Sequence, residues 1–204
     1  MHISWLGNTG IRIQTRPHEE DITVIIDPYK QVEGVYPRSL SPHIALLTHG
    51  QEEQITLSGD PFILSTPGEC EVKGVLISAV ANSDGSNVFF RIDSESLSLA
   101  HLGSAQKPLS DDEIGVLSGV DILFVPVGGS SCYNAEEAVK AVNIIEPRIV
   151  IPILHQSDNN PNALPVTAFI KAIGVAPQNE DKKVIIKKKD LPEEEMKVIV
   201  LGKE

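Results

Sequence analysis

Apolar positions along this chain fall into short runs rich in β-branched residues, closed by Gly, Pro, Asn and Asp. Runs punctuated in this way predict strands at residues 11–14, 23–26, 43–47, 62–64, 75–80, 88–92 and 97–99. A second set follows at 122–125, 149–153, 183–187 and 196–201. DILFVPV at 121–127 and RIVIPIL at 148–154 are apolar at successive positions. A strand without a polar face must be covered on both sides, so these two predict strands lying between layers. VIIKKK at 184–189 passes into charge and predicts a half-exposed strand.

Helices are fewer and are announced by their caps. Ser110 followed three residues later by Glu113 forms a capping box, in which hydroxyl and carboxylate each satisfy an open backbone N–H. Asn134 and Glu137 repeat the pattern and predict a helix over 135–146, stopped by Pro147. Pro165 and Gly174 bracket a third helix through Phe169 and Ile170. Strands come first, and strands alternating with helices follow. That order predicts an α/β (α+β) sandwich of two sheets with helices outside, built as one domain over residues 1–204.

Composition narrows the function classes. The 28 acidic and 17 basic side chains leave a net charge of −11, the opposite of a nucleic-acid footprint. No apolar run reaches the ~20 residues that cross a bilayer, and MHISWLGNTG does not read as a signal peptide. Two cysteines, Cys70 and Cys132, make no disulfide framework and fit a reducing compartment. A cytoplasmic protein with no membrane and no nucleic-acid partner is expected. The basic stretch around Lys187–Lys189 is flanked by acids and reads as a solvated face.

Leu46-Leu47-Thr48-His49, a buried strand running into Thr-His, follows IDPY at 26–29. Further on come GDPFILSTPGECEVKGV at 59–75, AHLG at 100–103 and DILFVPVGG at 121–129. EAVKAVNIIEPRIVIP at 137–152 and KKKDLPEEEMKVIVL at 187–201 complete the series. Taken in order, these stretches resemble the metallo-β-lactamase superfamily, closest to its small Zn-dependent hydrolase-like branch. The resemblance implies a four-layer αββα sandwich with a metal site along one edge, in loops between strands and helices. It also implies the signature Thr-His-x-His-x-Asp-His, whose imidazoles and carboxylate hold one or two ions of zinc, iron or manganese.

Against that signature, Thr48-His49-Gly50-Gln51-Glu52-Glu53-Gln54 keeps the first imidazole and a carboxylate, and carries amides at Gln51 and Gln54. A neutral amide oxygen does not replace an imidazole for a borderline metal. Ser104 stands where the resemblance implies a bridging Asp, and Asn8 where it implies a His. His155 follows the last Val-Ile-Pro-like strand, either one residue out of step with the family's final ligand or kept in place by a bulge. His49, Glu53 and His155 are therefore the weak metal candidates, with Glu53 the one carboxylate to weigh as catalytic. Asn8, Gln51, Gln54, Ser104 and Cys132 are pocket residues by family position. His101 reads as structural. Cys132 precedes a capped helix, where a thiol can be activated, but no neighbouring base is identified by spacing.

Two readings follow. In the first, the chain is a catalytically impaired or non-catalytic binding module that takes a small molecule or a protein partner. In the second, it hydrolyses an ester, lactone or phosphodiester with one metal on His49, Glu53 and His155. The ligand set favours the first. A homodimer, the commonest oligomer of soluble proteins, is compatible with either.

Overall fold

The computed structural model describes residues 1–50 and 54–204. Strands β1 (His2–Gly7), β2 (Gly10–Thr15), β3 (Ile22–Ile26), β4 (Ser39–Leu40), β5 (Ile44–Leu46), β6 (Thr56–Leu57) and β7 (Phe62–Leu64) come first. They are followed by β8 (Gly68–Val72), β9 (Val75–Ala81), β10 (Val88–Ser94) and β11 (Leu97–His101). The second half interleaves α1 (Asp111–Leu117), β12 (Ile122–Pro126), α2 (Ala135–Ile145), β13 (Ile149–Ile153) and α3 (Thr167–Ile173). It closes with β14 (Pro177–Glu180), β15 (Val184–Ile185) and β16 (Lys197–Leu201).

Two large sheets result. One runs β15-β1-β2-β3-β5-β7, and the other β14-β16-β13-β12-β11-β10-β9-β8. Each begins as an antiparallel meander and ends parallel: β3, β5 and β7 in the first, and β11, β12, β13, β16 and β14 in the second. Parallel neighbours need crossovers, and α1 and α2 supply two of them, after β11 and after β12.

Alternation along each strand divides the interior into two cores. Ile122 and Phe124 of β12, and Ile149, Ile151 and Ile153 of β13, face the first sheet, where they join Ile3, Ile11, Val24 and Leu46. Leu123, Val125 and Val150 point the other way, onto Leu117, Val142, Ile145 and Phe169 of the three helices. The unbroken apolar runs DILFVPV and RIVIPIL thus serve two layers at once, as their pattern predicts. Each fully buried aliphatic side chain contributes about 1.5–3 kcal/mol of transfer free energy. The architecture is an α/β sandwich, with all three described α-helices against the eight-stranded sheet.

Both predicted capping boxes form, on Ser110 and on Asn134. The third helix starts at Thr167, two residues beyond the predicted proline, and ends as expected at left-handed Gly174. The strand predicted over 183–187 is shorter, because the chain turns into a 3-10 helix at Lys188–Asp190. No described helix is long and apolar enough to cross a membrane.

Candidate functional site

In open α/β sheets, ligands bind beyond the carboxyl ends of the strands. Here the segments after β3, β5, β11, β12 and β13 meet the β1–β2 turn around a cleft of about 420 Å³. It is lined by Asn8, Thr9, Tyr29, Lys30, Gln31, His49, Ser104, Gln106, Ser131, Leu154, Asn159 and Asn160. In a chain of net charge −11, this lining contains one lysine and, among the described residues, no carboxylate.

His49 is held from below. Asp27, buried and left-handed at the end of β3, accepts the Thr48 N–H at 2.7 Å and the Thr48 hydroxyl at 2.8 Å. With its proton given to Asp27, the Thr48 oxygen accepts from His49 Nδ1 at 3.3 Å, which leaves Nε2 as the free lone pair. The Tyr29 hydroxyl donates to the His49 carbonyl at 2.6 Å and accepts the His49 N–H at 3.0 Å. Its ring lies 4.0 Å from the imidazole, centroid to centroid. Burial raises the Tyr29 phenol far above its ordinary pKa, so it stays protonated. IDPY and Thr-His are therefore one assembly, with Asp27 and Tyr29 fixing the backbone that presents the imidazole.

Two glycines permit close approaches at this end. A Cβ on Gly103, which has φ +50°, would lie 3.0 Å from Thr48 Cβ, and one on Gly128 would lie 2.0 Å from the Leu154 carbonyl oxygen. His101, wholly buried, donates from Nε2 to the Thr9 carbonyl at 2.9 Å and accepts the Gly103 N–H on Nδ1 at 3.1 Å. Burial pushes its pKa down. It is a neutral tie between the two sheets, as the sequence suggests.

His155 and its neighbour take different sides. Leu154 adopts a left-handed conformation with φ +56°, lines the cleft, and gives its N–H to the Asn8 carbonyl at 3.0 Å. His155, 6% exposed, packs instead on Trp5 with ring centroids 4.4 Å apart. Its Nδ1 donates to the Gln156 carbonyl at 3.2 Å, its Nε2 has no partner within the chain, and burial lowers its pKa. The structure brings Asn8, His49 and Ser104 together in the cleft and leaves His155 out of its lining. Gln54 lines a separate depression with Lys30, Ile55 and Asp60. Gln51 and Glu53 lie outside the described residues.

Cys132 is 7% exposed, its sulfur 3.6 Å from the carbonyl oxygens of Gly129 and Tyr133. Burial pushes its thiol up to about 11, the reverse of an activated nucleophile. Ser131, one residue earlier, reaches the cleft. Among the described residues no group of three or more His, Cys, Asp or Glu side chains is placed to hold a metal ion.

Sequence reasoning did not single out Gln31, Gln106, Asn159 or Asn160 as lining residues. Their common signal is position, in loops beyond strand ends. Lys203 organises part of this rim. Its ammonium donates to the Val35 carbonyl at 2.6 Å and to Asp158 and Asn159 at 2.7 Å, while Asn159 Nδ2 donates to the Glu33 carbonyl at 2.5 Å. The Lys203 hydrogen bond also lowers the Asp158 pKa. Loop 30–36 is thereby clamped to loop 156–160.

Comparison with known proteins bears on the same elements. Residues 2–154 match the family model described as the beta-lactamase superfamily domain. A metal-dependent hydrolase of Methanopyrus kandleri is 24% identical over 195 residues, covering 75% of this chain and 83% of the relative. A Thermotoga maritima structure of the metallo-β-lactamase superfamily superposes with a TM-score of 0.83 at 22% identity, covering 99% of each chain. The isothiocyanate hydrolase from Delia radicum gut bacteria superposes at 0.58 with 11% identity, covering 84% of this chain and 91% of the other.

Proposed function

The chain belongs to the β-lactamase superfamily, and within that family we propose that it is a binding module whose cleft does not tightly hold a catalytic metal. One observation carries this reading: of the chain's imidazoles, His49 alone lines the cleft, while the rest of its polar lining among the described residues is mainly amide and hydroxyl. A catalytic zinc normally takes three protein ligands from imidazole, thiolate and carboxylate, and keeps a fourth position for water. His155 would be the second imidazole, but its ring packs on Trp5 beyond the reversal at Leu154. Gln51 and Gln54 carry amides where the resemblance implies further imidazoles. Among the described residues, the donor set of the cleft does not fit zinc, iron or manganese. The partner in this reading is a small molecule, since the site is a concave cleft with several polar side chains.

The second reading, a single-metal hydrolase of an ester, lactone or phosphodiester, is favoured by one feature. His49 presents its Nε2 outward while Nδ1 is engaged through Thr48 to buried Asp27, the outer support that metal-binding imidazoles use. Calorimetric titration with zinc separates the two readings. The binding module predicts no saturable site of micromolar or tighter affinity in the wild type. A tight site that disappears in His49→Ala would overturn the metal-free reading and, with turnover of an ester, lactone or phosphodiester by the zinc-loaded wild type, would establish the hydrolase instead.

A further inference from the structure

The two large sheets end side by side. β7 is the last strand of the six-stranded sheet and β8 the last of the eight-stranded one, and three residues of chain join them. Most side chains of the core between the sheets are fully buried. Those that pack on it yet stay partly exposed, Leu64, Cys70 and Val72, all lie on these two strands. Phe62, which opens β7, is 39% exposed. Among the described residues, the inter-sheet core thus reaches the surface along one seam.

The backbone of β8 has hydrogen-bonding capacity left over. Lys73 and Gly74, with φ +52° and +75°, form a two-residue turn that sets Val72 opposite Val75. In a hairpin closed this way the flanking pair exchanges hydrogen bonds, and every second pair along the ladder does the same. Cys70 with Ile77 and Gly68 with Ala79 complete the bonded set. Glu69 and Glu71 therefore turn their main-chain N–H and C=O groups away from β9, to a side where no described backbone group meets them. The other sheet ends are blunter: β7 and β15 have three and two residues, and β14 opens on Pro177.

Charge selects what adds to this edge. Glu69 and Glu71 are exposed and share the outer face of β8, opposite Ser78 and Leu76. Lys73, the adjacent cation, is paired with Glu20 at 2.8 Å. A second copy of β8 pairing antiparallel about Cys70 would set Glu69 against Glu71 twice, and like charges directly opposite destabilise a ladder. A strand with Lys or Arg at those two places meets opposite charge instead. Its middle residue falls on the inner face, at the seam of Leu64, Cys70 and Val72. We propose that β8 takes an extended basic segment of a protein partner as a further strand, with the pattern Lys or Arg, an apolar residue, Lys or Arg. No residue of β8 lines the cleft, so this surface is independent of what the cleft holds.

The probe is a capped, fluorescein-labelled Lys-Val-Lys-Val-Lys peptide titrated into the full chain. At about 0.15 M salt, charges more than about 8 Å apart are largely screened. Saturable binding is expected, with hydrogen exchange slowed at the Glu69 and Glu71 amides. A Glu-Val-Glu-Val-Glu peptide should not bind. The basic peptide N-methylated along its backbone keeps its charge but loses its ladder donors, and should bind about tenfold more weakly. Glu71→Pro removes an outward N–H without touching the ladder to β9, and should weaken binding to a similar extent. Glu69→Gln combined with Glu71→Gln leaves the backbone intact, should weaken binding too, and guards against a folding defect in the proline variant. Equal affinity for the N-methylated peptide would reduce the association to charge alone and overturn the proposal. So would the absence of saturable binding, or protection of the Glu69 and Glu71 amides in a peptide-free dimer of the chain.

Discussion

Asp27 and Thr48 lie 21 residues apart in sequence, yet the His49 platform depends on their contact. Asp27→Ala would leave a buried N–H and a buried hydroxyl without their charged acceptor, at a cost of about 2–3 kcal/mol. Chemical denaturation of that variant against wild type measures it. Cys132 yields a second expectation. With its thiol pushed up to about 11, it should react with a thiol reagent more slowly than half-exposed Cys70 at neutral pH, and faster as pH rises toward that value. Equal rates at neutral pH would contradict the burial argument. At this scale, Thr48-His49 was legible because an apolar strand running into Thr-His is a specific string. Gln31, Gln106 and Asn160 were not, because polar residues in loops carry no periodicity, and only the folded chain gathers them.

Elements were read best where local chemistry determines them. Asn134 Oδ1 accepts the N–H groups of Glu136 and Glu137 at 3.0 Å each, the interaction its place before Ala-Glu-Glu predicts. Asn134→Ala should therefore cost about 1 kcal/mol, read as a shift in the urea midpoint with an unchanged slope. β1 was missed, since HISWLG mixes polar and apolar residues without alternation although nearly every position is buried. Its pairing with β2 and β15 is tertiary information. β14, with the sequence Pro-Gln-Asn-Glu, has no β-branched or aromatic residue and pairs in parallel with the edge that β16 offers. The conformation of Leu154 belongs to the same class. Gly128 passes so close to the Leu154 carbonyl that the turn is fixed by packing across β12 and β13, and with it the choice of Leu154 over His155 for the cleft.

Across the whole molecule, the sandwich was legible because two strand runs had no polar face, and such strands exist only between layers. The cleft's chemistry was legible in part, through Asn8, His49 and Ser104, which the resemblance implies are pocket positions and which the fold brings into the lining. The pH dependence of stability also belongs here. Burial lowers the folded pKa of His101 and His155 from the ordinary 6.5. Above that value both folded and unfolded chains are neutral at these positions. Below it the unfolded chain takes up protons that the native one resists, so stability should fall as pH drops below about 6.5. His155→Phe, which keeps a ring against Trp5, should make that fall shallower in denaturation curves compared from about pH 7 to about pH 5. The central proposal is that this superfamily member keeps the sandwich around a cleft that does not tightly hold a catalytic metal. Elemental analysis of protein purified without tags or chelators, then supplied with zinc and desalted, tests it most directly. The account predicts zinc, iron and manganese each well below one equivalent per chain, whereas one equivalent or more retained through desalting would contradict it.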